Sequence, residues 1–205
     1  MGTKERIPEE ALVLFSEKGY ANVSVYDIAE RVGIKAPSLY KHYPGKQAIF
    51  DAIIEGMHRR FLEQADSLHI QGDDPTKDAE IYKSLSEDRL VKLGIDLFLY
   101  QLHDDYTRRI RKMLTIEQFH NPELAAAYMN QYMDAPMVYF GALLDLVARQ
   151  GVLQTDDTET MTLQFYAPFY TLMTVCDRDP AREESAVRIL EKHIRQFNKI
   201  YRRTI

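Results

Sequence analysis

The chain has 205 residues and a formal net charge of −5, with 45% hydrophobic and 28% charged residues, proportions ordinary for a globular protein of one large domain or a small domain beside a larger one. Nine glycines and eight prolines are few, which disfavours a turn-rich β protein and favours helices. Cys176 is the only cysteine, so an intrachain disulfide and a cysteine-based zinc site are excluded and a reducing compartment fits. The first ten residues, MGTKERIPEE, are charged from the outset and lack the apolar core of a signal peptide. The most apolar run, residues 165–176, is too short and too interrupted by Pro168 to span a bilayer. A cytoplasmic protein with no membrane partner is expected.

In chain order, Ile7, Ala11, Leu14 and Phe15 predict a first helix from about Glu5 to Lys18, stopped by Gly19. Ser24-Val-Tyr-Asp27 is a capping-box variant that starts a second helix, ended after about two turns by Gly33. A third, very short helix begins near Lys35, with Pro37 tolerated in its first turn, and stops by Pro44. A longer fourth helix runs from Lys46 to about Leu68. HIQGDDPTKD, residues 69–78, reads as the clearest loop. Beyond it Leu90, Leu93, Leu97 and Phe98 keep helical spacing, and Asp104-Asp105, Asn121-Pro122, Asp156 or Asp157, and Asp179-Pro180 open further helices. Pro136 and Pro168 should break or kink theirs. The expectation is an all-α chain of about nine helices: a helix-turn-helix domain over 1–46, a linking helix over about 46–68, and a larger domain over 47–205.

Three helices within some fifty residues, the last two short and joined at Val32-Gly33-Ile34, describe a helix-turn-helix. Leu39 and Tyr43, four apart, face the core, which turns Ser38, Lys41 and His42 outward with Tyr40 at the edge. Such groups suit phosphate oxygens and base edges. Lys46, at the start of the fourth helix, adds a cation beside free N–H groups, suited to one phosphate. From Arg31 to Phe50 there is no Asp or Glu, so nothing in the window repels a polyanion. An acidic chain needs only a local basic face to meet DNA.

The ordered set Ser24, Ile28, Ala29, Val32, Gly33, Ile34, Leu39, Tyr40, His42, Tyr43 and Lys46, with the Phe15 and Gly19 pattern before it, closely resembles the signature of TetR-like transcriptional regulators over about residues 7–55. The resemblance implies a homodimeric, all-helical repressor that binds palindromic double-stranded DNA and is released by a small ligand. It also implies that Pro37, Ser38, Tyr40, His42 and Lys46 contact DNA and that Lys35, Ala36 and Lys41 occupy variable recognition positions. Ser24 and Tyr26, at the start of the second helix, join that set. Many relatives carry Gly or a polar residue where Ala36 or Pro37 stands, a departure that bears on the operator sequence.

In the C-terminal half, Tyr100, His103, Met113, Phe119, Tyr128, Tyr132 and Tyr166 are the candidate lining of a pocket for an apolar or aromatic ligand, with simple core packing as the plainer alternative. By family resemblance, the stripes carrying Phe165, Phe169 and Met173 on one helix and Leu190, Ile194 and Phe197 on the last are assigned to the dimer interface. A metal enzyme is the main rival reading, since Glu55-Gly-Met-His58 and Glu117-Gln-Phe-His120 are both Glu-x-x-His pairs. It would need two further inward-facing glutamates, and no such pair stands out. A dimeric ligand-binding module without a DNA role is the other alternative. The expectation is a protein with no catalytic residues, no metal and no cofactor.

Overall fold

The computed structural model describes residues 2–203 and is helical throughout. The α-helices are α1 (Thr3–Lys18), α2 (Val25–Val32), α3 (Ala36–Tyr40), α4 (Lys46–Ser67), α5 (Pro75–Ser84), α6 (Glu87–His103), α7 (Asp105–Glu117), α8 (Pro122–Met129), α9 (Ala135–Arg149), α10 (Thr158–Arg178) and α11 (Glu183–Tyr201). A π turn, Asn130–Asp134, joins α8 to α9 without a break, so the described chain makes ten rods where about nine were expected. None is long and apolar enough to cross a membrane.

Packing divides the chain into two units: the N-terminal stretch to Arg60 with Asp105–Tyr128, and Phe61–Asp104 with the chain from Met129 onward. These differ from the expected boundary after residue 46, because α7 packs against α1. The first core holds Ile7, Leu12 and Phe15 of α1, Ile28 of α2, Leu39 of α3, Ile49 and Ile53 of α4, and Ile110, Met113 and Leu114 of α7, all essentially buried.

Local chemistry explains the short helices. Ser24 caps α2: its hydroxyl accepts from the Asp27 N–H, and the Asp27 carboxylate accepts from the Ser24 N–H at 2.7 Å and hydroxyl at 2.6 Å. The bonds from Ser24 hold the Asp27 carboxyl below its ordinary pKa. Gly33 ends α2 at φ 80°, ψ 31°, a left-handed conformation suited to glycine. Arg6 adds an N–H to the Val32 carbonyl at 3.1 Å.

Pro8 lies inside α1. A proline has no N–H for the carbonyl four residues back, here that of Lys4, and the Tyr43 hydroxyl donates to that oxygen at 3.1 Å. Partial burial raises the Tyr43 pKa, so the phenol keeps its donor proton. The same device recurs in the second unit. Of the two expected outcomes at Pro136, a break or a kink, the helix is not broken: a π turn precedes the proline, with the Ala135 N–H reaching back to Asn130. The Tyr132 carbonyl, deprived of a helical donor at Pro136, accepts from the Tyr166 hydroxyl at 2.9 Å.

In the second unit α5 and α10 pack against α9, and α11 packs against α6 and α10. Its aromatics interlock: Phe98 with Phe169 at 5.4 Å, Phe165 with Phe197 at 5.0 Å, and Phe140 with Phe165 at 5.1 Å between centroids. The expected loop over 69–78 ends early, because Asp74 caps α5 and Pro75 opens it. Asp78, expected in the loop, is a buried residue of α5 whose carboxylate takes the N–H groups of Gln71 and Gly72 at 2.7 and 2.8 Å and the Tyr139 hydroxyl.

Tyr43→Phe should lower the unfolding free energy by about 0.5–1 kcal/mol. In a Pro8→Ala background the restored helical N–H takes the Lys4 carbonyl and the same substitution becomes nearly neutral. Urea unfolding of the four chains measures this cycle, and equal losses in both backgrounds contradict it.

Candidate nucleic-acid interface

Leu39 is the one buried residue of α3 and, at 0% exposed, anchors it to the core. Lys35, Pro37, Tyr40, Lys41 and His42 are exposed around it, and Ala36 and Ser38 are half-buried. The expected outward face is therefore present as a surface. Tyr40 is 47% and Tyr26 69% exposed, large exposures for phenols, and Tyr26 stands in the first turn of α2. Ser24 is also exposed, but its hydroxyl is engaged by Asp27 as the helix cap.

Lys46 is placed differently from expectation. Its ammonium turns back onto the α1–α2 turn, donating to the carbonyls of Tyr20 at 2.8 Å and Val23 at 2.9 Å. It also lies 4.3 Å from the centre of the Tyr20 ring. Burial pushes its pKa down, and the Glu117 carboxylate partly opposes this. A lysine has three N–H donors, so one is left for an external anion. Lys46 is thus a structural tie as well as a candidate phosphate contact, a role invisible in its sequence position.

The candidate ligand residues are dispersed. Met113 and Tyr128 are buried in the first unit, where Phe119 is 80% exposed. In the second unit Tyr132 and Tyr166 are buried and joined through the Tyr132 carbonyl. Tyr100 is half-buried there, and the exposed His103 pairs with Glu183 at 2.9 Å.

Most of the stripes expected at a dimer interface are buried within the chain itself. Met173, Leu190, Ile194 and Phe197 are 1%, 2%, 6% and 3% exposed, so the unit's own core covers them. Phe165 and Phe169 are half-buried and contact Phe140, Phe197 and Phe98. The outward face of α10 and α11 instead carries Leu163 and Ile200, 54% and 51% exposed, which with Ala167, Pro168, Gln196 and Phe197 line a groove of about 400 Å³. Helical spacing showed which residues share a stripe; the stripe's cover was not legible.

Of the two Glu-x-x-His pairs, Glu117 is 6% exposed and accepts the Tyr20 N–H at 2.8 Å. This contact is not legible in the sequence, because the two residues are 97 positions apart.

Residues 7–53 match the family described as "Bacterial regulatory proteins, tetR family". The biofilm operon icaADBC HTH-type negative transcriptional regulator IcaR of Staphylococcus epidermidis is 40% identical over 60 residues, a match covering 29% of this chain and 32% of IcaR. The chain therefore spans about a third of that relative's length. YttP of Bacillus subtilis, an HTH-type transcriptional regulator by name, is 20% identical over 192 residues, covering 84% of this chain and 88% of YttP. Among solved structures, SmeT, the repressor of the Stenotrophomonas maltophilia multidrug efflux pump SmeDEF, shares the fold in its complex with triclosan: TM-score 0.71, 18% identity, 99% of this chain and 93% of that one.

The fold and its exposed third helix are those of a helix-turn-helix protein with a helical C-terminal half. Residues 7–53 are those of a helix-turn-helix domain of the tetR type.

Lys46→Met keeps an unbranched apolar side chain but removes the ammonium from the Tyr20 ring and from two carbonyls. It should lower the unfolding free energy by about 1–2 kcal/mol, the smaller end of charge-assisted bonding because the site is half-exposed. Denaturant titration checks this, and unchanged stability contradicts the tie.

Proposed function

We propose that the protein is a sequence-specific DNA-binding transcriptional regulator, acting as a homodimeric repressor on a palindromic operator and released by a small apolar or aromatic ligand. The observation that carries the reading is the exposed face of α3, with Lys35, Lys41, His42 and Tyr40 outward on a helix pinned by Leu39. Its immediate sequence holds no carboxylate. Ser38 and Lys41 are the bets for base edges; Pro37, Tyr40, His42 and the uncommitted N–H of Lys46 are the bets for backbone, with Ala36, Ser24 and Tyr26 at the margin.

Dimerisation is assigned to the outward face of α10 and α11, around Leu163, Ala167, Pro168 and Ile200, rather than to the buried stripes beside it. A dimer sets the distance between two recognition helices, which must match half-sites about 34–36 Å apart. A ligand in the C-terminal half that alters this distance releases the operator. The IcaR name, a negative regulator, supports repression, and the triclosan complex of SmeT supports an aromatic effector class.

Duplex carrying the DNA upstream of the protein's own gene should bind with a steep salt dependence, losing about 10³-fold in affinity between about 50 and 200 mM NaCl if some six phosphates are neutralised. Fluorescence anisotropy measures it; absence of binding at the lowest salt counts against the function.

Ile200→Glu and Leu163→Glu should each convert the dimer to a folded monomer, seen by sedimentation velocity with unchanged helical circular dichroism. A dimer that survives both substitutions places the interface elsewhere.

A further inference from the structure

Gly19 ends α1 at φ 83°, ψ 149°. Its own N–H bonds back to the Phe15 carbonyl at 3.0 Å, but this conformation turns the next N–H, that of Tyr20, away from the helix end. That donor is met by the buried Glu117 carboxylate of α7 at 2.8 Å. The fit is close: a Cβ on Gly19 would stand 3.0 Å from the same Glu117 oxygen. The other half of the Tyr20 backbone, its carbonyl, accepts from Lys46 at 2.8 Å. One residue thus joins a carboxylate of α7 to the cation that opens α4. Two of the three Lys46 donors are held by this turn, so the direction of the third follows the turn; Glu117 holds the turn together with the Val23 N–H on the Tyr20 carbonyl at 3.3 Å and the Asn22 amide on the Lys18 carbonyl at 2.9 Å.

We infer that Glu117 is a positioning residue for the DNA backbone: from α7 it holds the α1–α2 turn so that Lys46 presents its last N–H to a phosphate. This rests on the DNA-binding function proposed above. Glu117 touches no DNA itself and acts through Tyr20 and Lys46. A shift of α7 against α1 by about 1 Å takes a 2.8 Å bond beyond hydrogen-bonding reach, so the state of α7 is read at Lys46.

The test is anisotropy of a fluorescent mixed-sequence duplex of about 30 base pairs, titrated over a range of NaCl concentrations, with thermal unfolding of every variant. The wild-type chain comes first: if it fails to bind at low salt, DNA binding itself fails, independently of Glu117. Given wild-type binding, Glu117→Ala and Glu117→Asp should weaken affinity several-fold and flatten the salt slope by about 0.9 for each phosphate that is no longer neutralised. Glu117→Gln, which keeps an acceptor oxygen for Tyr20, should retain the wild-type slope. In a Lys46→Met background, Glu117→Ala should change DNA affinity no further. A folded Glu117→Ala or Glu117→Asp protein with the wild-type slope overturns the inference, as does an undiminished Glu117→Ala effect in the Lys46→Met background. If neither shorter side chain folds cooperatively, Glu117 serves stability alone and the inference fails.

Discussion

The backbone of Tyr20 is the point on which the N-terminal unit depends. Its N–H goes to Glu117, its carbonyl to Lys46, and its ring packs between Phe15 and Phe50, at 4.9 and 5.8 Å. A turn between two helices ordinarily satisfies its polar groups with water. Here, on a residue only 7% exposed, two charged side chains from elsewhere in the sequence add to the local bond from the Val23 N–H to the Tyr20 carbonyl at 3.3 Å. The turn fixes where α2 starts, and α2 with Gly33 fixes where α3 is presented. A helix of five residues, as α3 is, has too few internal bonds to hold its own orientation, so its placement is borrowed from these neighbours.

A second recurring device is the pairing of a helix-interior proline with a distant tyrosine. Pro8 and Pro136 each deprive the carbonyl four residues back of its helical donor, and Tyr43 and Tyr166 each supply a hydroxyl in its place. The cost of an interior proline, about 3 kcal/mol in an isolated helix, is offset in part by a tertiary hydrogen bond. For Tyr43 the consequence is positional: the residue just beyond α3 is tied to the first turn of α1. The exposed Tyr40, Lys41 and His42 are then bracketed between two anchors, Leu39 and Tyr43.

What was legible in the sequence was what is local. Ser24 with Asp27, Gly33, Pro37, and the Asn121-Pro122 pair announce their helix ends through side chains within three or four residues, and the structure has them there. Asp74-Pro75 carries the same signal but sits among Gly and Asp residues that read as loop, so α5 was started too late. The exposed face of α3 was legible because a single buried position, Leu39, determines which residues point away. The stripes of α10 and α11 are legible as apolar faces, and within the chain Met173, Leu190, Ile194 and Phe197 are covered by its own core. Periodicity says that a face is covered, and only packing says by what; here Gly94 lets α6 approach the Ile194 side chain so closely that an added Cβ would sit 2.6 Å from it. Glu117 was legible only as half of a metal-ligand pattern, since its partner is an N–H, which sequence does not mark.

The central claim is that α3, anchored by Leu39 and Tyr43, is the surface that meets duplex DNA. Hydrogen–deuterium exchange of the protein with and without DNA from upstream of its own gene tests it most directly. The account predicts protection concentrated in residues 35–46 and at the start of α2, with the outward face of α10 and α11 unchanged. Binding that protects other segments while the amides of 35–46 exchange as in the free protein contradicts it.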